Sequence, residues 1–393
     1  MPGYTKHMFI KDLESMKNDL TKYINTLIPV LPKSYDNKTI LVLLEKYYPF
    51  EWRIINEKYK YYSKKDKSLA KRGKKPRYSM CPPEDFLQSL RIYQKILSES
   101  YINAHTENFS DDTYLQNERK LLASRMPKIQ ARIDKIDAMK RKVQLVEPVF
   151  LDSLMGLYDR KNTSQKDRVY ILKELEKYYC PKVINFFQKK VDTEYNRQLR
   201  EMAFYHLQRL GYFTGPLRKQ KYMRIHTRNK KRRKYLKEVY AYERYNIAEI
   251  PEELEYRILN AKEQSLKSFD YFISHNSNDF SAVQQLIQDL NKKNLNVYCD
   301  WISDTDYLKR ALVCGATLEV IRKRIEQSTA IVFVSSQHSR NSKWVRYELN
   351  YAYKLKKPIH IIQASDIIRG RYTLSLHRDT WFLDDDYENA KLF

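Results

Sequence analysis

The chain has 393 residues, of which 42% are apolar and 31% charged. This length allows two or three domains, each with its own core, and the apolar content is too high for a disordered chain. No window approaches the apolar length needed to cross a bilayer, and the first twenty residues mix acids and lysines without an apolar run. We therefore expect a cytoplasmic protein with neither a secretory signal nor a membrane partner.

The formal net charge of +25 is unevenly distributed along the chain. Residues 266–393 hold 18 basic and 15 acidic side chains, so almost all of the excess lies in residues 1–265. An excess of this size favours a polyanionic partner for that region, either nucleic acid or an anionic surface, through counterion release and long-range attraction.

Cysteine and histidine spacing predicts no metal site. The four cysteines are scattered without a C-x-x-C pair, and we expect them to be reduced, buried thiols; they are Cys81, Cys180, Cys299 and Cys314. The eight histidines form no H-E-x-x-H or comparable pair of ligands.

Residues 1–265 are predicted to be predominantly helical, in one or two subdomains. Glycine is scarce, with seven in the whole chain, and apolar residues recur with a helical period. Two such stripes are Ile129, Ile133, Ile136 and Val143, which follow Pro127, and Leu199, Ala203, Leu207 and Leu210. Gly211 follows the second stripe where a glycine C-cap is expected. We expect this region to sense a trigger, drive assembly or bind nucleic acid.

One basic segment of this region, RKQKYMRIHTRNKKRRKYLK over residues 218–237, also carries aromatic side chains. Cations for phosphates with aromatics for base stacking are typical of nucleic-acid binding. The candidate contacts are Arg218, Lys219, Lys230, Lys231, Arg232 and Arg233. A solvated helix face or an interdomain tether explains the same run equally well.

From residue 268 onward, strands and helices alternate. The predicted strands are Phe269–Ser274, Leu295–Asp300, Ala330–Ser335 and Pro358–Gln363, with amphipathic helices between them. This βαβαβαβ order predicts an α/β domain over residues 266–393, with a parallel sheet between helices. In such a sheet the functional crevice lies outside the carboxyl ends of the strands.

The stretch SKWVRYELNYA, from Ser342 to Ala352, follows the third strand and places Trp344 and Glu348 one turn apart on one helix face. Ser342 is expected to cap this helix. The pair is either the floor and the carboxylate of one cleft, or a packing anchor beside a solvated acid.

The strand FDYFIS, the run NVYCDW, the strand AIVFVSS and the S-x-W-x-x-x-E-L motif together resemble the Toll/interleukin-1 receptor (TIR) domain family, of the bacterial NAD⁺-cleaving type. The resemblance covers the last third of the chain and implies a flavodoxin-like fold. It also implies that Glu348 is the catalytic residue and that Trp344 and Tyr347 border the substrate. Fold geometry places Ser274, His275, Asp300 and Trp301 at the crevice edge, although Asp300 could simply cap a turn and His275 could be a bystander.

The resemblance implies an NAD⁺ glycohydrolase of a prokaryotic anti-phage immune system. It would release nicotinamide together with ADP-ribose or a cyclic isomer, with no cofactor beyond NAD⁺ as the substrate. Self-association through TIR domains would activate it, in response to nucleic acid or another phage-derived trigger. Two alternatives stay open: a non-enzymatic TIR adaptor, and a nucleic-acid sensor with the TIR domain as its output.

Overall fold

The computed structural model describes residues 4–213, 217, 225 and 227–383. By their internal contacts these form two compact units. Unit 1 holds the described residues of Met1–Asp137 and Leu207–Arg228, and unit 2 those of Ala138–His206 and Asn229–Phe393. The predicted domain boundary between residues 265 and 266 stays a prediction, but the contacts group residues 138–206 and 229–265 with the sheet region.

Helices occupy most of the described chain before the sheet, as predicted. They are α1 (Tyr4–Leu27), α2 (Asn37–Tyr47), α3 (Pro49–Ala70), α4 (Pro83–Gln88), α5 (Arg91–Ile96), α6 (Glu99–Glu107), α7 (Asp111–Lys140), α8 (Phe150–Asp159), α9 (Gln165–Leu175), α10 (Pro181–Thr193), α11 (Arg197–Arg209), α12 (Lys230–Tyr235), α13 (Pro251–Asn260) and α14 (Lys262–Ser265). None of the helices in the described ranges has the length and apolar character that a bilayer crossing requires.

Unit 1 is a helical assembly around one main hydrophobic core. Its fully buried side chains include Leu20 and Ile24 of α1 and Ile40 and Leu44 of α2, which lie at helical spacing. A smaller cluster joins Phe50 to Ile129 and Ile136 of α7. The first predicted stripe is therefore confirmed at those two isoleucines, whereas Ile133 is 37% exposed.

The predicted glycine cap at Gly211 is confirmed. Gly211 has φ +81°, and its N–H donates to the Gln208 carbonyl while the Tyr212 N–H donates to the Leu207 carbonyl. This is the Schellman pattern, which satisfies carbonyls that the end of a helix leaves without partners.

Unit 2 contains a five-stranded sheet in the order β2-β1-β3-β4-β5. Its strands are β1 (Phe269–Ser274), β2 (Val297–Tyr298), β3 (Ser328–Ser335), β4 (Ile359–Gln363) and β5 (Ser375–Leu376), and its helices are α15 (Phe280–Lys292), α16 (Asp300–Ser303), α17 (Gly315–Glu326), α18 (Gln337–Arg340), α19 (Lys343–Lys354) and α20 (Ala364–Ile368). The first four strands are parallel, and β5 pairs antiparallel with β4.

Helices cover both faces of the sheet, which accounts for the continuous apolar run of β3. Residues Ile331 and Phe333 of β3 lie in the cluster formed with α17 and α19, and Val332 and Val334 lie in the cluster formed with α15 and α20. The strand order places the topological switch point between β1 and β3, where ligands bind in folds of this type.

Two features of the sheet differ from the sequence prediction. The second strand is two residues long, and Asp300, predicted to end it, instead begins α16. The reason is local hydrogen bonding, because the carbonyls of Cys299 and Asp300 accept from the backbone of the following turn rather than from a neighbouring strand. The short, exposed β5 was not predicted, since it has no apolar run.

The edge strand β2 is covered by a side chain from the helical part of unit 2. The Gln144 amide donates to the Val297 carbonyl at 2.7 Å and accepts from the Val297 N–H at 3.0 Å. It therefore replaces the backbone partner that an edge strand lacks.

Candidate functional site

The central pair of the site is Ser274 and Glu348. Ser274 is the last residue of β1 and is fully buried, and its hydroxyl donates to Glu348 Oε2 at 2.6 Å. Glu348 lies in the second turn of α19, which Ser342 caps by accepting from the Val345 N–H, as predicted. The fold thus brings together two candidates separated by 74 positions, at the carboxyl end of β1.

The Glu348 carboxyl is in an environment that opposes its ionisation. Burial raises its pKa to about 8, the hydrogen bond from Ser274 lowers it in part, and the Asp300 charge raises it. No ion pair of Glu348 occurs within the described ranges. A carboxyl with a raised pKa at the carboxyl end of a parallel strand is typical of a functional group rather than of a solvated surface acid.

A second group of predicted residues surrounds His275, immediately after β1. The Trp301 indole N–H donates to His275 Nε2 at 3.1 Å, and His275 Nδ1 lies 3.1 Å from the Ile273 carbonyl. Because an indole N–H can only donate, Nε2 is the acceptor and Nδ1 carries the ring hydrogen. The Trp301 ring also packs on Phe280, with centroids 4.7 Å apart. His275, Trp301 and Phe280 therefore form a continuous aromatic wall.

Asp300 and Cys299 complete this group. Asp300 Oδ1 accepts from the Trp301 N–H at 2.9 Å and lies 3.7 Å from His275 Nε2. Cys299 Sγ lies 4.0 Å from that nitrogen and 3.9 Å from Asp300 Oδ1. The four cysteines are free thiols, but Cys81 is exposed and Cys314 only partly buried, so the prediction of buried thiols is wrong for these two. The sequence did not indicate that the buried Cys299 thiol lies against His275 and Asp300, although it directly precedes Asp300.

Of the two aromatic residues predicted beside Glu348, Tyr347 lies in the core of unit 2 and Trp344 packs against it. Tyr347 is 2% exposed and packs within the cluster between the sheet and α17, with the Arg322 guanidinium 5.7 Å from its ring centroid. Trp344 is partly buried against the same cluster. Their packing is established by these contacts, and their contribution to a substrate pocket stays a prediction.

Buried ion pairs anchor the segment that carries Asp300 and Trp301. Asp304, directly after α16, is 1% exposed and accepts from Arg324 Nε at 2.8 Å and Nη2 at 3.2 Å. Lys177, which follows α9, lies 3.3 Å from the same carboxylate. Burial alone would raise the pKa of Asp304, but Arg324, Lys267 and Lys177 hold it well below the usual range. The helical part of unit 2 therefore helps to position the site.

The ion-pair network continues to the start of β1. Glu174 of α9 lies 2.9 Å from Lys177 and 2.8 Å from Lys267, which directly precedes the sheet. All of these charged groups are largely withdrawn from solvent, so each depends on its partners for solvation.

The predicted nucleic-acid contacts are only partly within the described residues. Lys230, Lys231, Arg232 and Arg233 form the exposed first turns of α12, which Asn229 caps. Arg218 and Lys219 lie outside the described residues. Exposure of α12 is compatible both with an interface and with a solvated face.

Comparison with known proteins confirms the TIR resemblance. Residues 272–366 match the family described as Thoeris protein ThsB, TIR-like domain. Over 116 residues the chain is 30% identical to the probable 3′ cyclic ADP-D-ribose synthase ThsB′ of Bacillus cereus (strain MSX-D12), covering 28% of this chain and 60% of that protein. No solved structure matches.

The helical region shares this relationship. The chain is 37% identical over 370 residues to a Cytobacillus dafuensis protein named putative cyclic ADP-D-ribose synthase TIR2, and the similarity covers 94% of both chains. It therefore extends well beyond the sheet region and includes most of both compact units. The chain belongs to the family of TIR2, with a TIR-like domain in its C-terminal part.

Proposed function

We propose that the protein cleaves NAD⁺ at the bond between nicotinamide and ribose and forms a cyclic ADP-ribose isomer. The observation that carries this proposal is the Glu348 carboxyl, held by Ser274 at the carboxyl edge of β1 beside the switch point of the sheet. The printed names of the two relatives, both cyclic ADP-D-ribose synthases, support NAD⁺ as the substrate and a cyclic product.

The chemistry requires one carboxylate. Nicotinamide in NAD⁺ is a cationic leaving group, so it departs with the electron pair of the glycosidic bond without first being protonated. Positive charge then develops on the ribose, and the Glu348 carboxylate stabilises it and orients the ribose hydroxyls. A nucleophile within the ADP-ribosyl group closes the cyclic product, whereas attack by water gives linear ADP-ribose.

The pKa of about 8 couples substrate binding to loss of a proton from Glu348. Near neutral pH the free protein holds this carboxyl mainly protonated, and the cationic nicotinamide ring favours its ionised form once bound. The active carboxylate is therefore generated largely in the complex. Activity of the free enzyme, measured as kcat/KM, is expected to rise with pH towards about 8, and kcat to reach its plateau at lower pH.

The aromatic wall of His275, Trp301 and Phe280 is proposed to bound the substrate. His275 directly follows Ser274, and its contacts with Trp301 and of Trp301 with Phe280 form a set of planar rings that would offer apolar faces to nicotinamide or adenine. Asp300 at its rim is 52% exposed, and its carboxylate is proposed to bind ribose hydroxyls.

The test is turnover of NAD⁺ by the full chain, followed by chromatography and mass spectrometry of nicotinamide and the ADP-ribose product. Glu348→Gln keeps the shape of the side chain and is expected to lower kcat by about 10²-fold or more. Glu326→Gln is the matched control. Glu326 ends α17 beside the amino ends of β1 and β3, whereas Glu348 lies at their carboxyl ends. Equal turnover by Glu348→Gln would contradict the assignment.

Two further parts of the proposal concern regulation within an anti-phage immune response. Self-association through TIR domains is proposed to activate turnover, which predicts that specific activity rises with protein concentration. If no assembly condition gives turnover and NAD⁺ signals are unperturbed in ligand-observed NMR, the adaptor function is favoured instead.

A nucleic-acid trigger is proposed to bind α12 and the basic residues before it. The logarithm of the binding constant for a labelled duplex should fall linearly with the logarithm of the salt concentration. Alanine substitution of all four cations of α12 should make this dependence on salt less steep; they are Lys230, Lys231, Arg232 and Arg233. The control removes two other exposed cations, Lys292 and Lys293. Binding that does not depend on salt would leave α12 as a solvated face.

A further inference from the structure

Three donor atoms of different elements converge beside the Ser274–Glu348 pair. They are Nε2 of His275, Sγ of Cys299 and Oδ1 of Asp300, which lie within 4.8 Å of one another. The individual separations are 4.0 Å from nitrogen to sulfur, 3.9 Å from sulfur to oxygen and 3.7 Å from nitrogen to oxygen. Imidazole, thiolate and carboxylate are the side chains that bind Zn²⁺ in proteins.

The spacing is close to that of a tetrahedral zinc site. Bonds of about 2.3 Å to sulfur and about 2.0–2.2 Å to nitrogen and oxygen, at tetrahedral angles, separate the donors by roughly 3.4–3.6 Å. Each pair here is therefore only about 0.3–0.4 Å too far apart. Rotation of the Asp300 side chain, which is 52% exposed, can shorten the two separations that involve its oxygen, and the nitrogen-to-sulfur separation has to shorten by about 0.4 Å through shifts of His275 and Cys299.

The histidine is already in the tautomer that zinc requires. Its Nδ1–H lies 3.1 Å from the Ile273 carbonyl, which orients the ring with Nε2 towards Cys299 and Asp300. A ligating histidine almost always donates its other N–H in this way. The Trp301 indole, which donates to Nε2 at 3.1 Å, has to release that nitrogen before a metal binds.

We propose that His275, Cys299 and Asp300 form an inhibitory site for a thiophilic divalent cation, with Zn²⁺ the best match. The cation enters from the side of Asp300, and water occupies the fourth position. As the metal–sulfur bond forms, the Cys299 thiol gives its proton to solvent, so the side chain binds as a thiolate.

Inhibition rests on the proposed function. Metal binding breaks the hydrogen bond from Trp301 to His275 and coordinates the Asp300 carboxylate. It therefore changes the side chains that are proposed to contact NAD⁺. Metal and substrate should therefore oppose each other. Cys299 itself is 1% exposed and has no part in the proposed reaction, which makes it the residue that separates the two roles.

The binding test uses Co²⁺ as a spectroscopic substitute for Zn²⁺, with the full chain purified under a phosphine reductant. We expect one tightly bound Co²⁺ per chain, with a thiolate-to-cobalt charge-transfer band and intense visible bands of tetrahedral Co²⁺ that Zn²⁺ abolishes. Cys299→Ala should remove these bands. Cys314→Ala is the matched control, because Cys314 Sγ lies 3.3 Å from a carboxylate oxygen of Glu252 and offers a competing surface site.

Absence of the charge-transfer band in the wild-type protein, or its persistence in Cys299→Ala, would overturn the site. Circular dichroism verifies that Cys299→Ala remains folded. These readouts need no turnover, so they decide the metal site even if the protein does not cleave NAD⁺.

The inhibition test compares NAD⁺ turnover across a Zn²⁺ titration. Half-inhibition of Cys299→Ala should require at least about tenfold more Zn²⁺ than that of the wild-type protein, when each is measured relative to its own turnover without metal. Equal inhibition of both proteins would overturn the inhibitory role.

Discussion

The perturbed pKa of Glu348 makes a prediction about stability as well as activity. The carboxyl ionises near pH 4.5 when unfolded and near pH 8 in the folded protein, chiefly because of burial. Well below pH 4.5 both the folded and the unfolded states hold the proton, so this carboxyl does not lower the free energy of unfolding. Between these pH values the unfolded state releases it and the folded state does not, and the free energy of unfolding falls as pH rises.

The size of the effect follows from the shift. Each pH unit in this window lowers the free energy of unfolding by about 1.4 kcal/mol, which amounts to about 1 kcal/mol at pH 5 and about 3 kcal/mol at pH 7. These are upper values, because the Glu348 side chain is only partly buried. Glu348→Gln resembles the protonated carboxyl and cannot ionise. The variant should therefore gain stability over the wild-type protein as the pH rises.

The measurement is urea unfolding of both proteins at several pH values from 5 to 8. Three of the four tryptophans, Trp301, Trp344 and Trp381, lie in unit 2, so a Trp52→Phe background makes fluorescence report that unit. A stability difference that does not change between pH 5 and pH 7 would refute the raised pKa and with it the proposed coupling of substrate binding to proton release.

Three other perturbations have defined outcomes. Asp304→Asn leaves the buried cations around it short of a negative charge and should lower the free energy of unfolding of unit 2 by about 3–5 kcal/mol, measured by urea unfolding. Gly211→Ala should destabilise unit 1 by about 2–4 kcal/mol in thermal unfolding, because its φ is +81° and a Cβ would lie 2.6 Å from Cδ1 of the buried Ile136. Ser274→Ala removes the hydrogen bond that favours the ionised carboxylate beside it, so the rise of kcat/KM with pH should move to higher pH.

Matched controls distinguish these effects from general damage. Asp306→Asn, at a side chain that is 45% exposed, should cost less than about 1 kcal/mol. Gly73→Ala also has positive φ, at +66°, but a Cβ there meets nothing within 4 Å, so only the backbone strain of about 1–2 kcal/mol should appear. Equal losses within either pair, or an unchanged pH profile for Ser274→Ala, would contradict the corresponding argument.

Local patterns were sufficient where the structure depends on neighbours in sequence. The bounds of β1, the Ser342 cap of α19 and the Gly211 cap of α11 agree with the sequence predictions. Each depends on the burial period or on hydrogen bonds within a few residues. The exception is Asp300, where a short apolar run suggested a longer strand than the backbone hydrogen bonds allow.

Contacts between distant residues could not be inferred in this way. Glu174, Lys177, Asp304 and Arg324 are indistinguishable in sequence from the many charged residues on solvated faces, yet the fold buries them as partners. The proposed metal site at Cys299 likewise could not be predicted from spacing. One of its other two ligands, His275, lies 24 positions away along the chain.

Apolar periodicity along the chain predicted a helical region followed by a parallel α/β domain, because such periods are local properties. The resemblance to TIR domains implied that Glu348 is the catalytic carboxylate. Folding brought Ser274 to that carboxyl, buried the carboxyl in part and so raised its pKa. The tertiary structure also packed Tyr347 into the core, although it adjoins Glu348 in sequence. Burial and electrostatic environment depend on which elements meet in space, and no spacing along the chain specifies that.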